Sequence, residues 1–160
     1  NVPGRTSVDM LPDTVYKLSN HPNILGIKEA SGNLERSKEL LDKCSDNIDI
    51  FTGDDKTSFR DISLGFSGNI SVTANIAPLQ MHNMCKLASN GEEEQAKLIN
   101  NKLDILHDNL FLESNPIPVK WCLHKLGLIK QGIRIPLTWL DEKFEKKLED
   151  SLIKSNIIKN

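Results

Sequence analysis

The segment ILGIKEASGN, residues 24–33, decides the fold of this chain. It opens with a compact apolar run, which is typical of a strand buried in a parallel sheet. Strand alternation places Gly26 and Lys28 on one face of that strand and Ile27 on the other. The polar residues that follow, ending at Asn33, are suited to cap a helix. The segment therefore predicts a β-strand that ends at Lys28 and leads into a helix.

The alternation of a short apolar strand with a helix recurs on either side of this segment. The predicted elements are a helix at 12–20, strands at 23–28, 48–52 and 69–73, a helix after each of the first two strands, and a helix at about 78–89. Such alternation indicates parallel βα units, and thus an α/β fold. Right-handed crossovers would place the helices on one side if the sheet curls into a barrel.

The pattern changes after Gly91, beyond which we predict no strand. Apolar residues recur there at helical spacing instead. The expected helices lie at about 96–110, after an Asn115–Pro116 cap, and from about Asp141 to Lys154. The chain is therefore expected to divide into a βα portion, residues 1–90, and a helical portion, residues 91–160.

The composition excludes several classes of protein. Of the 160 residues, 38% are hydrophobic and 26% are charged, unlike a disordered tail or a membrane protein. The apolar runs are far shorter than the roughly 20 residues that span a bilayer. The net charge of -2 and the scattered basic residues argue against a nucleic-acid partner. These features favour a cytoplasmic protein that acts on small molecules.

Neither the cysteines nor the acidic pairs predict a metal site. Cys44, Cys85 and Cys122 are widely spaced and fit three reduced thiols better than a zinc cluster. Asp54 and Asp55 follow a predicted strand, where a helix cap is the simpler interpretation.

Lys28 is the strongest candidate for a catalytic residue. An amine at the carboxyl end of a parallel strand points into the region where α/β active sites form. Partial removal from water there favours the uncharged amine, whose lone pair can attack a ketone. From the strand alone, a lysine whose head reaches solvent is the simpler interpretation, so the neighbouring motifs decide.

Five motifs, in order along the chain, resemble those of dihydrodipicolinate synthases. They are NVPGRT (residues 1–6), GIKEASGN (26–33), TGDD (52–55), GNISVTAN (68–75) and NPIPVK (115–120). In that family they follow the fifth strand of a (β/α)8 TIM barrel, form the lysine strand, end the seventh and eighth strands, and belong to a C-terminal helix. Each motif alone is weak evidence, but together they cover nearly the whole chain. The chain is thus similar to the family's C-terminal half, about strands 6 to 8 with their helices, followed by an all-helical region.

The resemblance implies a class I aldolase of lysine and diaminopimelate biosynthesis. Lys28 would form a Schiff base with pyruvate, which is then joined to aspartate semialdehyde. Arg5 matches the family arginine that holds the aspartate semialdehyde carboxylate, a task that suits a guanidinium fork. Gly53 and Ile70 match positions that line the pyruvate pocket, although a plain turn explains Gly53 nearly as well. No metal and no organic cofactor is implied.

The resemblance covers only half of the family's barrel, so the residues that would move protons for Lys28 are not accounted for. The family's proton relay of a threonine and two tyrosines has no counterpart here, because Tyr16 lies in a predicted helix outside the motifs. We expect a homo-oligomer or an N-terminal half that completes the barrel. Two other functions stay open: a related aldolase resembling N-acetylneuraminate lyase, and a non-catalytic half-barrel that serves as an assembly module.

Overall fold

The computed structural model describes residues 1–159, which form an α/β fold. The chain divides into two compact units, one of Asn1–Ser71 with Met84–Lys97 and one of Val72–Asn83 with the residues from Leu98 onward. The elements are α1 (Pro3–Thr6), α2 (Pro12–Ser19), β1 (Gly26–Glu29), α3 (Leu34–Cys44), β2 (Asp49–Thr52), α4 (Ser58–Leu64), β3 (Gly68–Asn69), a 3-10 turn (Thr73–Asn75), α5 (Pro78–Ser89), α6 (Glu93–Asn109), α7 (Ile117–Lys125) and α8 (Glu142–Lys154).

The three strands form one parallel sheet in the order β1-β2-β3. Lys28 lies opposite Phe51, and Phe51 lies opposite Gly68. Asn1 continues this order beyond β1, because its carbonyl accepts the N–H of Ala30 at 2.9 Å and its nitrogen donates to the carbonyl of Lys28 at 2.6 Å. Parallel strands end at the same edge, so the residues that follow each strand meet at the carboxyl edge of the sheet.

The core of the first unit lies on the face of the sheet that carries Ile27 and Ile50. Helices α2, α3 and α4 cover this face with apolar side chains, among which Leu40 is fully buried. The buried residues of this core are Val15, Leu40, Cys44, Ile48, Ile50, Ile62, Phe66, Ala88 and Ala96. Lys28 and Phe51 lie on the opposite face by strand alternation and are half-buried.

The second unit has its own core, formed by α7, α8 and the part of α6 that belongs to it. Its large, fully buried apolar side chains include Leu103, Leu106, Leu110, Pro118, Leu148 and Leu152. Asn109 of α6 donates a 2.8 Å hydrogen bond to the hydroxyl of Ser151 in α8. The helices of this unit are therefore joined by a polar contact as well as by apolar packing.

Most of the predicted elements are present, with small shifts of their ends. The helix at 78–89 is confirmed, and the helix predicted at 12–20 runs from Pro12 to Ser19. The lysine strand is shorter than predicted and ends one residue later, at Glu29. The opening loop contains the short helix α1, which the sequence did not predict.

The third predicted strand, at 69–73, is wrong in length. Only Gly68–Asn69 pair with β2, and the last sheet hydrogen bond runs from the N–H of Ile70 to the carbonyl of Thr52. The strand stops there because β2, its partner in the sheet, itself ends at Thr52. The residues that follow form a turn instead.

The cap predicted at Asn115 is also wrong. Helix α7 begins at Ile117, Pro116 occupies the position before its first turn, and no side chain caps that turn. The backbone of Pro116, with φ -101° and ψ 24°, is outside helical geometry, and the proline of the first turn is Pro118.

Candidate active site at the carboxyl edge of the sheet

Lys28 lies near the carboxyl end of β1, on the face of the sheet away from the helical core. Its neighbour across the sheet is Phe51, and the lysine itself is half-buried. The aliphatic part of the side chain runs along the sheet toward β2, where it passes over Gly53. The aliphatic part of the lysine is therefore held against the protein surface at Gly53.

Gly53 has no side chain because Lys28 occupies that space. A Cβ at this position would lie 3.0 Å from Lys28 Cγ, closer still to Lys28 Cε, and 2.8 Å from the Cβ of Ala30. Contacts below 3.0 Å essentially never occur for a real Cβ, so any larger residue would push the lysine away. Two of the predicted site residues are thus in direct contact, and a turn alone does not explain the glycine.

Ile70 lies next to Gly53 across the sheet. The N–H of Gly53 donates to the carbonyl of Glu29 at 2.7 Å, and the N–H of Ile70 donates to the carbonyl of Thr52 at 2.9 Å. This hydrogen bonding extends the parallel register by one residue and places Ile70 on the same face as Lys28. Its side chain is 51% exposed, so it is available to line a pocket.

Phe51 is a site residue that the sequence did not reveal. Its ring lies against Gly26 and Gly68, where a Cβ added at either glycine would be 3.4 Å from a ring carbon. The two glycines leave room for the ring on this face of the sheet. The only signal was its place beside the TGDD motif. Phe51 and Ile70 give the surroundings of the lysine an apolar character.

Arg5 lies in α1, on the segment that leaves the carboxyl edge after Asn1. The helix is closed by hydrogen bonds from the N–H groups of Arg5 and Thr6 to the carbonyl of Val2, at 2.9 Å and 3.1 Å. The side chain of Arg5 is exposed. Because Asn1 pairs with β1 beside Lys28, the predicted carboxylate-binding residue is on the same edge of the sheet as the lysine.

Asp54 and Asp55 both make structural contacts. A carboxylate oxygen of Asp54 accepts the N–H of Thr57 at 3.0 Å, directly before α4. Asp55 is buried and accepts a 3.0 Å hydrogen bond from the side chain of Asn69. Within residues 1–159, no group of three or more His, Cys, Asp or Glu side chains is arranged to hold a metal ion. Over the same residues, no helix is both long and apolar enough to cross a membrane.

The edge of the sheet thus combines a lysine with apolar neighbours, and Arg5 lies on the segment that leaves this edge. A primary amine can condense with a carbonyl compound, since its lone pair becomes available when the amine is uncharged. An arginine can pair with a carboxylate through two parallel hydrogen bonds. The arrangement suits a small substrate that carries both a carbonyl and a carboxylate.

Known proteins resemble this chain along nearly its whole length. Residues 1–155 match the dihydrodipicolinate synthetase family. The 4-hydroxy-tetrahydrodipicolinate synthases of Stutzerimonas stutzeri and Pseudomonas aeruginosa are 51% and 50% identical to it over 158 residues. Each match covers 99% of this chain and 54% of the relative. The chain therefore spans about half the length of the curated relatives it matches.

Solved structures agree with this relationship. The chloride-inhibited dihydrodipicolinate synthase of Acinetobacter baumannii, complexed with pyruvate, is 51% identical and superposes with a TM-score of 0.97. The match covers 99% of this chain and 54% of that one. The dihydrodipicolinate synthase of Aquifex aeolicus is 34% identical, with a TM-score of 0.94 over all of this chain and 55% of its own. On its sequence, its sheet and its helices, this chain belongs to the dihydrodipicolinate synthetase family.

Proposed function

We propose that this chain carries the Schiff-base lysine of a 4-hydroxy-tetrahydrodipicolinate synthase, and that Lys28 is that residue. The observation that carries the proposal is the path of the Lys28 side chain across Gly53 at the carboxyl edge of the sheet. The names of the relatives and the pyruvate complex of the Acinetobacter baumannii enzyme support the substrate class.

The proposed reaction begins at the nitrogen of Lys28. The uncharged amine attacks the ketone carbon of pyruvate, a C–N bond forms, and the oxygen leaves as water to give an imine. The protonated imine nitrogen accepts the electron pair released when a methyl proton is lost, which produces an enamine. The enamine carbon then attacks the aldehyde of aspartate semialdehyde, and the amine of that substrate displaces Lys28 as the ring closes.

The other site residues bind and orient the substrates. Arg5 pairs with the carboxylate of aspartate semialdehyde through its guanidinium fork. Gly53 and Ile70 line the pyruvate pocket, where the glycine lets the ligand approach the main chain. Phe51 adds an apolar surface that limits access of water to the imine.

We also propose the place of this chain in a complete barrel. Strands β1, β2 and β3 correspond to strands 6 to 8 of a (β/α)8 barrel, residues 1–90 form the C-terminal part of the barrel, and residues 91–160 form a helical domain. Because a closed barrel needs eight strands, activity requires the remaining strands, supplied by an N-terminal half or by association with other copies. The proposed location is the cytoplasm.

Trapping with borohydride tests the role of Lys28. The chain, and the protein expressed from the longest reading frame that encodes it, are incubated with pyruvate, reduced and mapped by mass spectrometry. A reduced pyruvate adduct on Lys28, absent from Lys28→Arg, is the expected result. An adduct on another lysine, or equal labelling of the variant, would contradict the proposal.

A second assay tests the substrate. Turnover of pyruvate with aspartate semialdehyde is compared with turnover of pyruvate with sugar aldehydes in the longer protein. We expect turnover with aspartate semialdehyde. Turnover with sugar aldehydes alone would indicate a sugar lyase instead.

A further inference from the structure

Glu29 is a buried carboxylate directly beside the proposed Schiff-base lysine. It is the last residue of β1, is only 3% exposed, and points to the face of the sheet opposite Lys28. A carboxylate is expensive to bury unless hydrogen-bond donors surround it. The groups that surround the Glu29 carboxylate therefore indicate its structural role.

Two hydrogen-bond donors and one cation surround Glu29, and they come from three segments of the first unit. The N–H of Ser31 donates to the Glu29 carboxylate at 2.7 Å. The side-chain amide of Asn1 donates to both of its oxygens, at 3.1 Å and 3.4 Å. The guanidinium of Arg36, in α3, lies 4.0 Å away. Glu29 thus joins the chain before α1 to the turn between β1 and α3.

The amide of Asn1 also closes the loop that carries Arg5. Its nitrogen donates to Asp9 at 2.9 Å, and its oxygen accepts the N–H of Met10 at 2.9 Å. Arg36 donates to Asp9 at 3.0 Å from the other side. The two ends of the loop, residues 1–10, are therefore held together and attached to the carboxyl end of β1 and to α3.

We infer that Glu29 is a positioning residue whose buried carboxylate, acting through Asn1, holds the Arg5 loop in place beside Lys28. We call Glu29, Asn1, Asp9 and Arg36 the Glu29 clamp. Its effect on the reaction rests on the proposed function, in which the loop positions Arg5 for aspartate semialdehyde and β1 positions Lys28 for pyruvate. Loss of the clamp would affect aspartate semialdehyde and spare pyruvate.

Glu29→Gln is the sharpest test, since the two side chains have nearly the same shape. Glu29 accepts hydrogen bonds on both oxygens, from Ser31 on one side and from Asn1 on both. A glutamine has one oxygen and one NH2 group, so either orientation turns a donor toward a donor. Glu35→Gln is the matched control, because Glu35 has an 83% exposed side chain and pairs only with Lys38 among the ion pairs of residues 1–159.

Amide hydrogen exchange measures the clamp without any reaction. The N–H groups of Arg5, Thr6, Ser7, Val8 and Met10 are hydrogen-bonded within the loop. We expect Glu29→Gln to speed their exchange by about tenfold, the factor that corresponds to about 1.4 kcal/mol, while exchange in α3 and in Glu35→Gln stays unchanged. Unchanged exchange in the loop would overturn the inference whatever the enzyme does.

Kinetics in the longer protein then test the effect on the substrates. We expect Glu29→Gln to raise KM for aspartate semialdehyde by about tenfold, with KM for pyruvate and borohydride trapping at Lys28 within about twofold of the parent. An equal rise in both KM values would show a general structural defect and overturn the positioning role. Absence of trapping in the parent protein would instead refute the proposed function and leave the exchange result to decide the clamp.

Asp9→Asn provides a second variant in case Glu29→Gln does not fold. Asp9 is 46% exposed in its side chain, so this change leaves the core intact. It weakens the pairing with Arg36. We expect faster amide exchange in the loop and a higher KM for aspartate semialdehyde, each by about threefold, an effect of the size that partly exposed ion pairs contribute. A rise in KM for pyruvate instead would contradict the inference.

Discussion

Substitution of Gly53 by alanine tests the contact on which the proposed site depends. The new methyl carbon would lie 2.8 Å from the Cβ of Ala30, about 0.6 Å short of an ordinary contact of 3.4 Å. Ala30 cannot move without moving the strand end, whereas the Lys28 side chain can rotate away. We therefore expect Gly53→Ala to displace the lysine first and the main chain second.

The magnitude follows from two opposing effects. Overpacking costs about 1–3 kcal/mol, and replacing glycine by alanine in ordinary backbone geometry returns about 0.4–1 kcal/mol by restricting the unfolded chain. The expected net loss is about 1–2 kcal/mol in the free energy of unfolding. Displacement of a reacting group by about 1 Å can slow a reaction 10²-fold, so pyruvate trapping should fall by about that factor.

Urea denaturation measures the first effect, and the rate of borohydride trapping on Lys28 measures the second. Gly68→Ala is the matched control, because its added Cβ would meet only the Phe51 ring at an ordinary distance of 3.4 Å. The reasoning is refuted if Gly53→Ala traps pyruvate as fast as the parent, or if Gly68→Ala slows trapping equally.

Two further predictions concern stability and thiol reactivity. Asn33→Ala removes the side-chain oxygen that accepts the N–H groups of Glu35 and Arg36 at 3.0 Å and 3.2 Å, and should lower the free energy of unfolding by about 1 kcal/mol in urea, whereas Asn33→Ser should retain most of it. Burial raises the pKa of the Cys122 thiol to about 12, so at pH 8 its thiolate should be about 10⁴-fold less populated than the thiol. Ellman's reagent should therefore react first with the partly exposed Cys85 and reach Cys122 only after unfolding; fast labelling of Cys122 in the native protein would contradict this.

The elements that local signals encode were predictable. Proline at the first turn of α2, the polar residues before α3 and the apolar run of β1 each depend on residues within a few positions of one another. For the same reason the side of the sheet on which Lys28 lies followed from strand alternation alone. The error at 69–73 came where the neighbouring strand β2 ended, which the sequence around residue 70 does not reveal. The error at Asn115 came where the helix began two residues later, at Ile117.

The candidate site also has a part that the sequence predicted and a part that it did not. The motifs predicted Lys28, Arg5, Gly53 and Ile70 as site residues, but nothing in them shows which residues touch. Glu29 looked like an ordinary charged neighbour of the lysine, since an isolated Glu in a sequence is most often exposed. Its burial depends above all on Asn1, which is 28 positions away in the chain.

By itself, the sequence determined the parallel βα order, the face that carries Lys28 and the family to which the motifs belong, because these depend on periodicity and on local residue types. Only the tertiary structure decided that Lys28 lies across Gly53, that β3 stops after two residues and that a buried carboxylate anchors the Arg5 loop. Each of these depends on atoms brought together from distant parts of the chain, and such contacts leave no periodic signal in the sequence.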